Sequence, residues 1–576
     1  MSKRRQTAAA VPGLRMLTSY RPGWLPRDLV AGLVLATLLV PQGMAYAELA
    51  GLPAITGLYT SILCLVGYAL FGPSKILVLG PDSSLGPMIA ATILPLLGAN
   101  GDPTRAIALA SMLALLVGAI TALGGIAKLG FVADLLSKPT MIGYMNGLAL
   151  TILVGQLPKL FGFSTDADGF IHELKAFVHG VSHGETVGAA LAVGLFGLAT
   201  IIVLQRLLPK VPSVLAAVVL SIVAASAFDL AQHGVQLVGT LPRGFPPLTL
   251  PGIKLSDMWL LVGGALGIAL VALADTIATA SAFADRTGQD VDGNQEMVGI
   301  GAANILAGLF QGFPVSTSGS RTAVAEQAGA KTQVTGLVGA LAITLMLVLV
   351  PGLLRNLPQP TLAAVVIAAS LSLADIPGTK RLWAQRRTEC VVSLTALLGV
   401  VLLGVLPGIA IAVGVSVANA FRRSWRPYQT VLGRVTGLPG YHDVRSYPAA
   451  EVLPGLIVFR FDAPLFFANA RTFREQIREL ATADPPPRWI VVAAEPITDV
   501  DTTAADMLED LDAAINAKGV SLVFAELKDP VKRKIERYEL TRTVDPRHFY
   551  PTLDAAVAAY QEETGVEWST ALSSSV

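Results

Sequence analysis

The chain has 576 residues, of which 53% are hydrophobic and 14% charged, with a mean hydropathy of +0.61 and a formal net charge of +1. So low a charged fraction places long stretches of the chain out of contact with water. The small net charge gives no footprint for a nucleic-acid partner, the 6% aromatic content is too low for a series of stacking platforms, and two cysteines, Cys64 and Cys390, cannot build a disulfide scaffold.

The first residues, Met1 to Arg5, are basic. No short apolar run with a small-residue cleavage site follows before Pro26, so residues 1–25 are expected to be a cytoplasmic N-terminal segment and the first apolar run to remain as a span. Over residues 26–426, apolar runs of roughly 17–25 residues alternate with polar breaks, the length a helix needs to cross the hydrocarbon core. The pattern predicts fourteen spans, centred near residues 37, 62, 90, 116, 145, 196, 219, 271, 302, 323, 343, 368, 396 and 414, of which the third, ninth and tenth are short. An even count puts both ends on one side. One set of breaks holds roughly twenty Lys and Arg, among them Arg27, Arg206, Lys331, Lys380 and Arg423, and the other set holds six, Arg105, Lys159, Lys175, Arg243, Lys254 and Arg355. This bias predicts cytoplasmic termini in a bacterial-type inner membrane. Cys64 and Cys390 lie in or beside apolar runs and read as buried thiols. His172, His179 and His183 crowd one external loop whose glycines define no ligand spacing, so no metal is expected.

Two segments break the run of continuous spans. Lys75-Ile-Leu-Val-Leu-Gly80 is a short β-like stretch, after which Pro81-Asp82-Ser83-Ser84 opens a helix. Gln311-Gly-Phe-Pro-Val315 is followed by Ser316 to Thr322 opening another, with Ser318, Gly319, Ser320 and Arg321 at its start. Pro, Asp, Ser and Thr before an apolar run are helix-start residues. Helices that start inside a bilayer need their non-helical backbone paired with protein or lining a wet cavity. Two such N-termini present N–H groups and partial positive charge, which suits an anion. The segments are third in the first seven spans and third in the second seven, as in inverted-repeat transporters. Arg321 and Asp275 are ionisable groups far from a membrane edge, and such groups are costly unless they function or pair. A structural alternative for Asp275 is a salt bridge to Arg321; for Asp82 it is capping of its own helix start.

Around residue 427 the composition changes. Residues 427–440 read as a linker and 441–565 as a soluble α/β domain: strands at Leu456–Asp462, Trp489–Ala494 and Val520–Glu526, helices at Asn469–Ala483, Thr502–Ala517, Pro530–Tyr538 and Thr552–Glu563, and a disordered tail over 566–576.

Several ordered fragments resemble the sulfate-permease (SulP) family. These are Val40-Pro-Gln-Gly-Met-Ala-Tyr-Ala47, Gly80-Pro81, Asp292-Gly-Asn-Gln-Glu296, Asn304, Phe310-Gln-Gly-Phe-Pro314, Ser320-Arg-Thr-Ala323 and Ala330-Lys-Thr-Gln333. Pro454 to Asn469 is similar to the family's STAS domain. The resemblance implies an all-α membrane domain with a seven-plus-seven inverted repeat, a mobile core and a gate, a cytoplasmic STAS domain and a homodimer. It implies that Gln42, Tyr46, Ser320 and Arg321 line the substrate site, with Asp82, Ser83, Ser318 and Gly319 at the two helix starts. Asp275 matches the family's acidic position associated with proton or sodium coupling, and Thr279 one turn on resembles the pair of the sodium-dependent bicarbonate members. Asp82 departs from branches that carry a neutral or aromatic residue; a carboxylate there repels an anion unless protonated or paired. Thr503, in Asp501-Thr-Thr503, stands where related STAS proteins carry a phosphorylated Ser, and it also suits a helix cap.

With no metal motif, phosphate-binding glycine loop or nucleophile constellation, neither catalysis nor a cofactor is expected. The leading reading is a secondary active transporter of inorganic anions, by first choice proton-coupled sulfate symport. Sodium-coupled bicarbonate or dicarboxylate transport and a passive anion channel are the alternatives, and a channel has no need of Asp275. A STAS-centred signalling protein and a nucleobase carrier are further readings; Arg321 at a broken-helix start favours an anion over the latter.

Overall fold

The computed structural model describes residues 11–97, 101–131, 136–165, 167, 169–208, 211–287, 290–540 and 544–568. The chain divides into a unit ending at Ser416 and a unit beginning at Val417.

The helices up to Trp425 are α1 Pro12–Thr18, α2 Leu25–Leu49, α3 Ala54–Phe71, α4 Gly86–Leu97, α5 Pro103–Ile126, α6 Lys138–Phe161, α7 Phe170–Ser182, α8 Gly188–Leu207, α9 Ser213–Ala227, α10 Leu255–Thr287, α11 Gly293–Leu309, α12 Gly319–Gln327, α13 Val334–Leu349, α14 Gln359–Leu373, α15 Ile376–Gln385, α16 Arg387–Leu403 and α17 Val405–Trp425, the last of which begins in the first unit and ends in the second. Every predicted span centre falls within one of them. Among the described residues, eight candidate spans are long and apolar enough to cross a membrane, and three shorter apolar helices are α4, α9 and α13. Three helices occupy stretches read as polar breaks: α1, α7 and α15. The last two are amphipathic, so no long apolar run announces them. His172 and His179 therefore sit on a helix rather than a loop, with the His179 and His183 rings stacked at 3.8 Å. Cys64 and Cys390 are buried and free.

Helices α2 and α3 approach so closely that a Cβ on Gly57 would lie 1.8 Å from the Gly43 carbonyl, so glycine is required at the crossing. At its other end α2 is fixed by Asp28. Its buried carboxylate accepts from the Lys331 and Thr332 amides (2.7 and 3.1 Å) and from the Thr332, Thr335 and Tyr20 hydroxyls (2.7, 3.0 and 3.2 Å). Asp28 thus ties α2 to the turn that leads into α13, taking up two backbone amides just before that helix and the Thr335 hydroxyl in its first turn.

The two interruptions meet. Strand β1 (Leu79–Gly80) pairs antiparallel with β2 (Ser316–Thr317), in the register Leu79 with Thr317 and Gly80 with Ser316. The backbone leading into each is satisfied by buried side chains. Asn304 accepts from the Val315 amide (2.9 Å) and donates to its carbonyl (3.3 Å), Thr60 accepts from the Phe313 amide (3.1 Å), and Gln333 donates to the Ser74 and Leu77 carbonyls (2.8 and 2.9 Å). This protein-internal pairing is what a non-helical segment within an apolar core demands.

The second unit holds a six-stranded sheet of β3 Gln429–Arg434, β4 Tyr441–Asp443, β5 Leu456–Phe461, β6 Trp489–Ala493, β7 Ser521–Ala525 and β8 Phe549–Tyr550, in the order β4-β3-β5-β6-β7-β8. Strands β5 to β8 run parallel, and β3 is antiparallel to both its neighbours. Residues alternate between two cores: Ile490 and Val492 face α18 (Ala470–Leu480), α19 (Thr502–Asn516) and α20 (Asp529–Arg537), while Trp489 and Val491 face α21 (Leu553–Thr564). The stretch 427–440, read as a linker, contains β3. Its Gly433 and polar flanks disguise it, and pairing with β5 creates the strand. The stretch read as a disordered tail begins ordered: Val566 and Trp568 pack on the α21 core, with Arg434 over the Trp568 ring at 5.7 Å. Residues 569–576 lie outside the described residues.

Candidate functional site

Beside the β1–β2 pair lies a cavity of about 1090 Å³. Helix α2 contributes Gln42 and Tyr46, four residues apart and therefore on one face. The turn after β1 contributes Asp82 and Ser83, α10 contributes Asp275 and Thr279, and the start of α12 contributes Ser318, Gly319, Ser320 and Arg321. All ten residues singled out in the membrane part thus border one space, although they come from four separate stretches of sequence.

The second helix start is built as its sequence predicts. Ser318 is the N-cap of α12 and accepts from the Arg321 amide at 3.4 Å. The first differs. Helix α4 begins at Gly86, not at Asp82; the intervening turn is closed by the Leu85 and Gly86 amides on the Asp82 carbonyl (3.3 and 3.2 Å). Asp82 also accepts from the Ser84 amide (2.9 Å) and hydroxyl (2.7 Å). So its carboxylate takes up donors that a bare helix start would leave for a ligand.

Arg321 is 1% exposed. Its Nη1 donates to the Pro81 carbonyl at 2.6 Å and its Nη2 lies 3.6 Å from Asp82 Oδ2. Its Nε and Nη2 have no hydrogen-bond partner among the described residues. The salt bridge considered between Asp275 and Arg321 is not the one formed: Arg321 pairs with Asp82, and Asp275 Oδ2 faces the Ser84 hydroxyl at 3.3 Å. Gly80 makes the arrangement possible, since a Cβ there would sit 2.7 Å from Arg321 Nη1. A guanidinium with one corner hydrogen-bonded and two buried nitrogens that lack a hydrogen-bond partner keeps donors suited to an oxyanion, and the two nearby carboxylates oppose it.

Sequence reasoning placed Ser84 only as part of a helix start and did not register Asp28 or the steric role of Gly80. Local sequence carries no signal for any of the three; each depends on a partner hundreds of residues away. In the second unit, Thr503 is exposed, and the cap of α19 is Asp501, which accepts from the Ala504 amide at 2.8 Å.

A sulfate permease family model matches residues 25–396 and a STAS domain model matches residues 447–556. A protein of Mycobacterium tuberculosis named a probable sulfate transporter is 39% identical over 556 residues, covering 96% of this chain and 99% of its own. Sulfate transporter 1.3 of Arabidopsis thaliana is 30% identical over 528 residues, covering 88% of this chain and 80% of its own. The fold matches the solved structure of murine Slc26a9, described as an anion transporter in the inward-facing state, with a TM-score of 0.89 at 24% identity over 97% of this chain and 95% of that one. It also matches the transmembrane domain of the cyanobacterial bicarbonate transporter BicA, with a TM-score of 0.61 at 23% identity over 69% of this chain and 99% of that one. With a transporter-family match across most of its length and full-length relatives well above 30% identity, the chain belongs to the sulfate permease family and is a multi-pass membrane transporter with a C-terminal STAS domain, not an enzyme.

Proposed function

We propose that this protein is a secondary active transporter of inorganic anions that takes up sulfate together with protons. The observation that carries the reading is Arg321: a buried guanidinium in the wall of a cavity, paired with Asp82 at 3.6 Å, with two nitrogens that have no hydrogen-bond partner among the described residues and a second carboxylate, Asp275, close by. With Asp82 and Asp275 both ionised, the three groups sum to one negative charge, which repels an anion. Protonating one carboxylate brings the sum to zero and protonating both makes it positive, so uptake of protons and of a divalent anion favour one another. A passive channel gains nothing from such groups.

In this reading Gln42, Tyr46, Ser83, Ser318, Gly319 and Ser320 surround the anion, Asp82 and Asp275 titrate, and Thr279 serves Asp275. The cavity also touches Val30, Gln205, Val214, Gln327 and Leu373. These lie near the basic helix ends at Arg27, Arg206, Lys331 and Lys380, which supports an opening toward the cytoplasm. Both termini are then cytoplasmic at a bacterial inner membrane, with a transport domain over 26–426, a STAS domain over 441–565 extended back to Gln429, and a homodimer as the working unit. Exposure of Thr503 in the first turn of α19 leaves it open to a regulatory phosphate.

The test is isotope uptake into proteoliposomes with sulfate, bicarbonate and a dicarboxylate, with and without proton or sodium gradients. Sulfate accumulation driven by a proton gradient is expected. Accumulation driven only by sodium, or only downhill equilibration, would replace this reading with sodium coupling or a channel.

A further inference from the structure

We propose that Ser84 is a positioning residue that links the proton on Asp275 to the freedom of Arg321. The inference rests on the proton-coupled reading of the cavity. Ser84 is 1% exposed, lies behind the cavity wall and does not line it, so it does not touch the anion. Its hydroxyl stands between the two carboxylates, 2.7 Å from Asp82 Oδ1 and 3.3 Å from Asp275 Oδ2.

A hydroxyl has one proton to donate and lone pairs to accept with. When Asp275 is ionised, both carboxylates compete for that proton. If the hydroxyl turns to Asp275, Asp82 keeps only the Ser84 amide and draws more strongly on Arg321 Nη2, 3.6 Å away. When Asp275 is protonated, its own O–H donates to Ser84 Oγ. The Ser84 proton is then committed to Asp82, which has two donors from one residue and needs Arg321 less. Arg321, still pinned to the Pro81 carbonyl through Nη1, offers Nε and Nη2 to the anion. No proton leaves Asp275; only hydrogen-bond directions change. The other titratable groups facing these residues are the Tyr46 phenol and Arg321 beside Asp82, the Tyr144 phenol beside Asp275 and the Cys64 thiol beside Arg321.

The geometry makes the variant clean. Ser84→Ala removes the hydroxyl and keeps the backbone amide that holds Asp82. The experiment is binding of radiolabelled sulfate to the purified full-length protein at acid and alkaline pH. Wild type is expected to bind about tenfold more tightly at acid pH, a coupling of ordinary size. Asp275→Asn should show a smaller ratio, keeping only the response that Asp82 supplies. Ser84→Ala should show less than about a third of the wild-type ratio, and Ser84→Thr, which keeps the hydroxyl, should restore it. If Ser84→Ala does not run as a folded species on size exclusion, Ser84→Cys, a weak donor of similar volume, takes its place with the same expectation. Should wild type and Asp275→Asn behave as stated while the Ser84 variant keeps the full pH response, the link through Ser84 is overturned and the site reading stands. Should wild type show no pH response, the coupling reading falls and the link with it.

Discussion

Arg321 and Asp275 are the two residues on which the chemistry turns, and they fail in different ways when changed. Arg321→Ala removes a charge-assisted donor and also leaves the Asp82 carboxylate facing the cavity without its cation. Sulfate affinity should fall by roughly 10- to 100-fold or more. Arg321→Lys should recover part of it, because a point charge survives without the planar fork. Equilibrium binding on folded protein checks both; equal affinity in all three would remove Arg321 from the site. Asp275→Asn mimics the neutral acid. It should bind sulfate and exchange it across a membrane, yet lose accumulation under an imposed proton gradient, measured as counterflow against net uptake in proteoliposomes. These two residues were legible in the sequence because an ionisable side chain within an apolar run is costly and therefore conspicuous. Ser84 was not, since a serine at a helix start looks like a cap.

At the scale of elements, the interruptions are stable because side chains from elsewhere take over the backbone's hydrogen bonds. Asn304 serves both polar groups of Val315. Asn304→Ala should leave them buried and unmet, at a cost of about 1–3 kcal/mol per group. The expected result is a lower melting temperature together with weakened sulfate binding, since β2 carries Arg321's helix start. In the STAS domain, burial raises the carboxyl of Asp512, on α19, from the ordinary aspartate range to about 6, with the Asn516 amide pulling the other way. A carboxyl whose folded pKa is raised favours the folded state below its unfolded pKa and loses that contribution as pH rises through the folded value. Between about pH 4 and 6 the domain should therefore lose on the order of 1–3 kcal/mol through this group. Asp512→Asn should flatten that slope in denaturant titrations; an unchanged slope would place the effect elsewhere. The strands with long β-branched runs, such as Trp489–Ala493, were readable as strands, and each helix of this domain was found within a few residues of its ends. Strands β3, β4 and β8 were not, because they are short or polar and exist through their neighbours in the sheet.

For the whole molecule, the distribution of Lys and Arg makes a claim about sidedness that chemistry can check. A cysteine introduced at Ser182, which is exposed at the end of α7, should react with an impermeant thiol reagent on intact cells. One at Ser446, exposed in the second unit, should react only after permeabilisation. Reversed labelling would invert the topology. The positions of the apolar helices were legible from run length, whereas α1, α7 and α15, which lie in stretches read as polar breaks, were not. The approach of residues 79–80 to residues 316–317 was anticipated only in outline, from the matching places of two interruptions, since no local pattern records a long-range pairing.

That pairing also bears on biosynthesis. The ribosome delivers Leu79 and Gly80 to the insertion machinery well before Ser316 and Thr317 exist. Until then Val78, which will accept from the Ser318 amide at 3.1 Å, and its neighbours lack the partners they have in the finished protein. Hydrocarbon offers none. The first half of the chain must therefore be held in water, in the translocon or by a chaperone until the second half arrives, and the anion site is among the last parts of the protein to come into being. A ribosome that stops short of α12 produces not half a transporter but a membrane segment with an unmet backbone, fit for proteolysis rather than for transport.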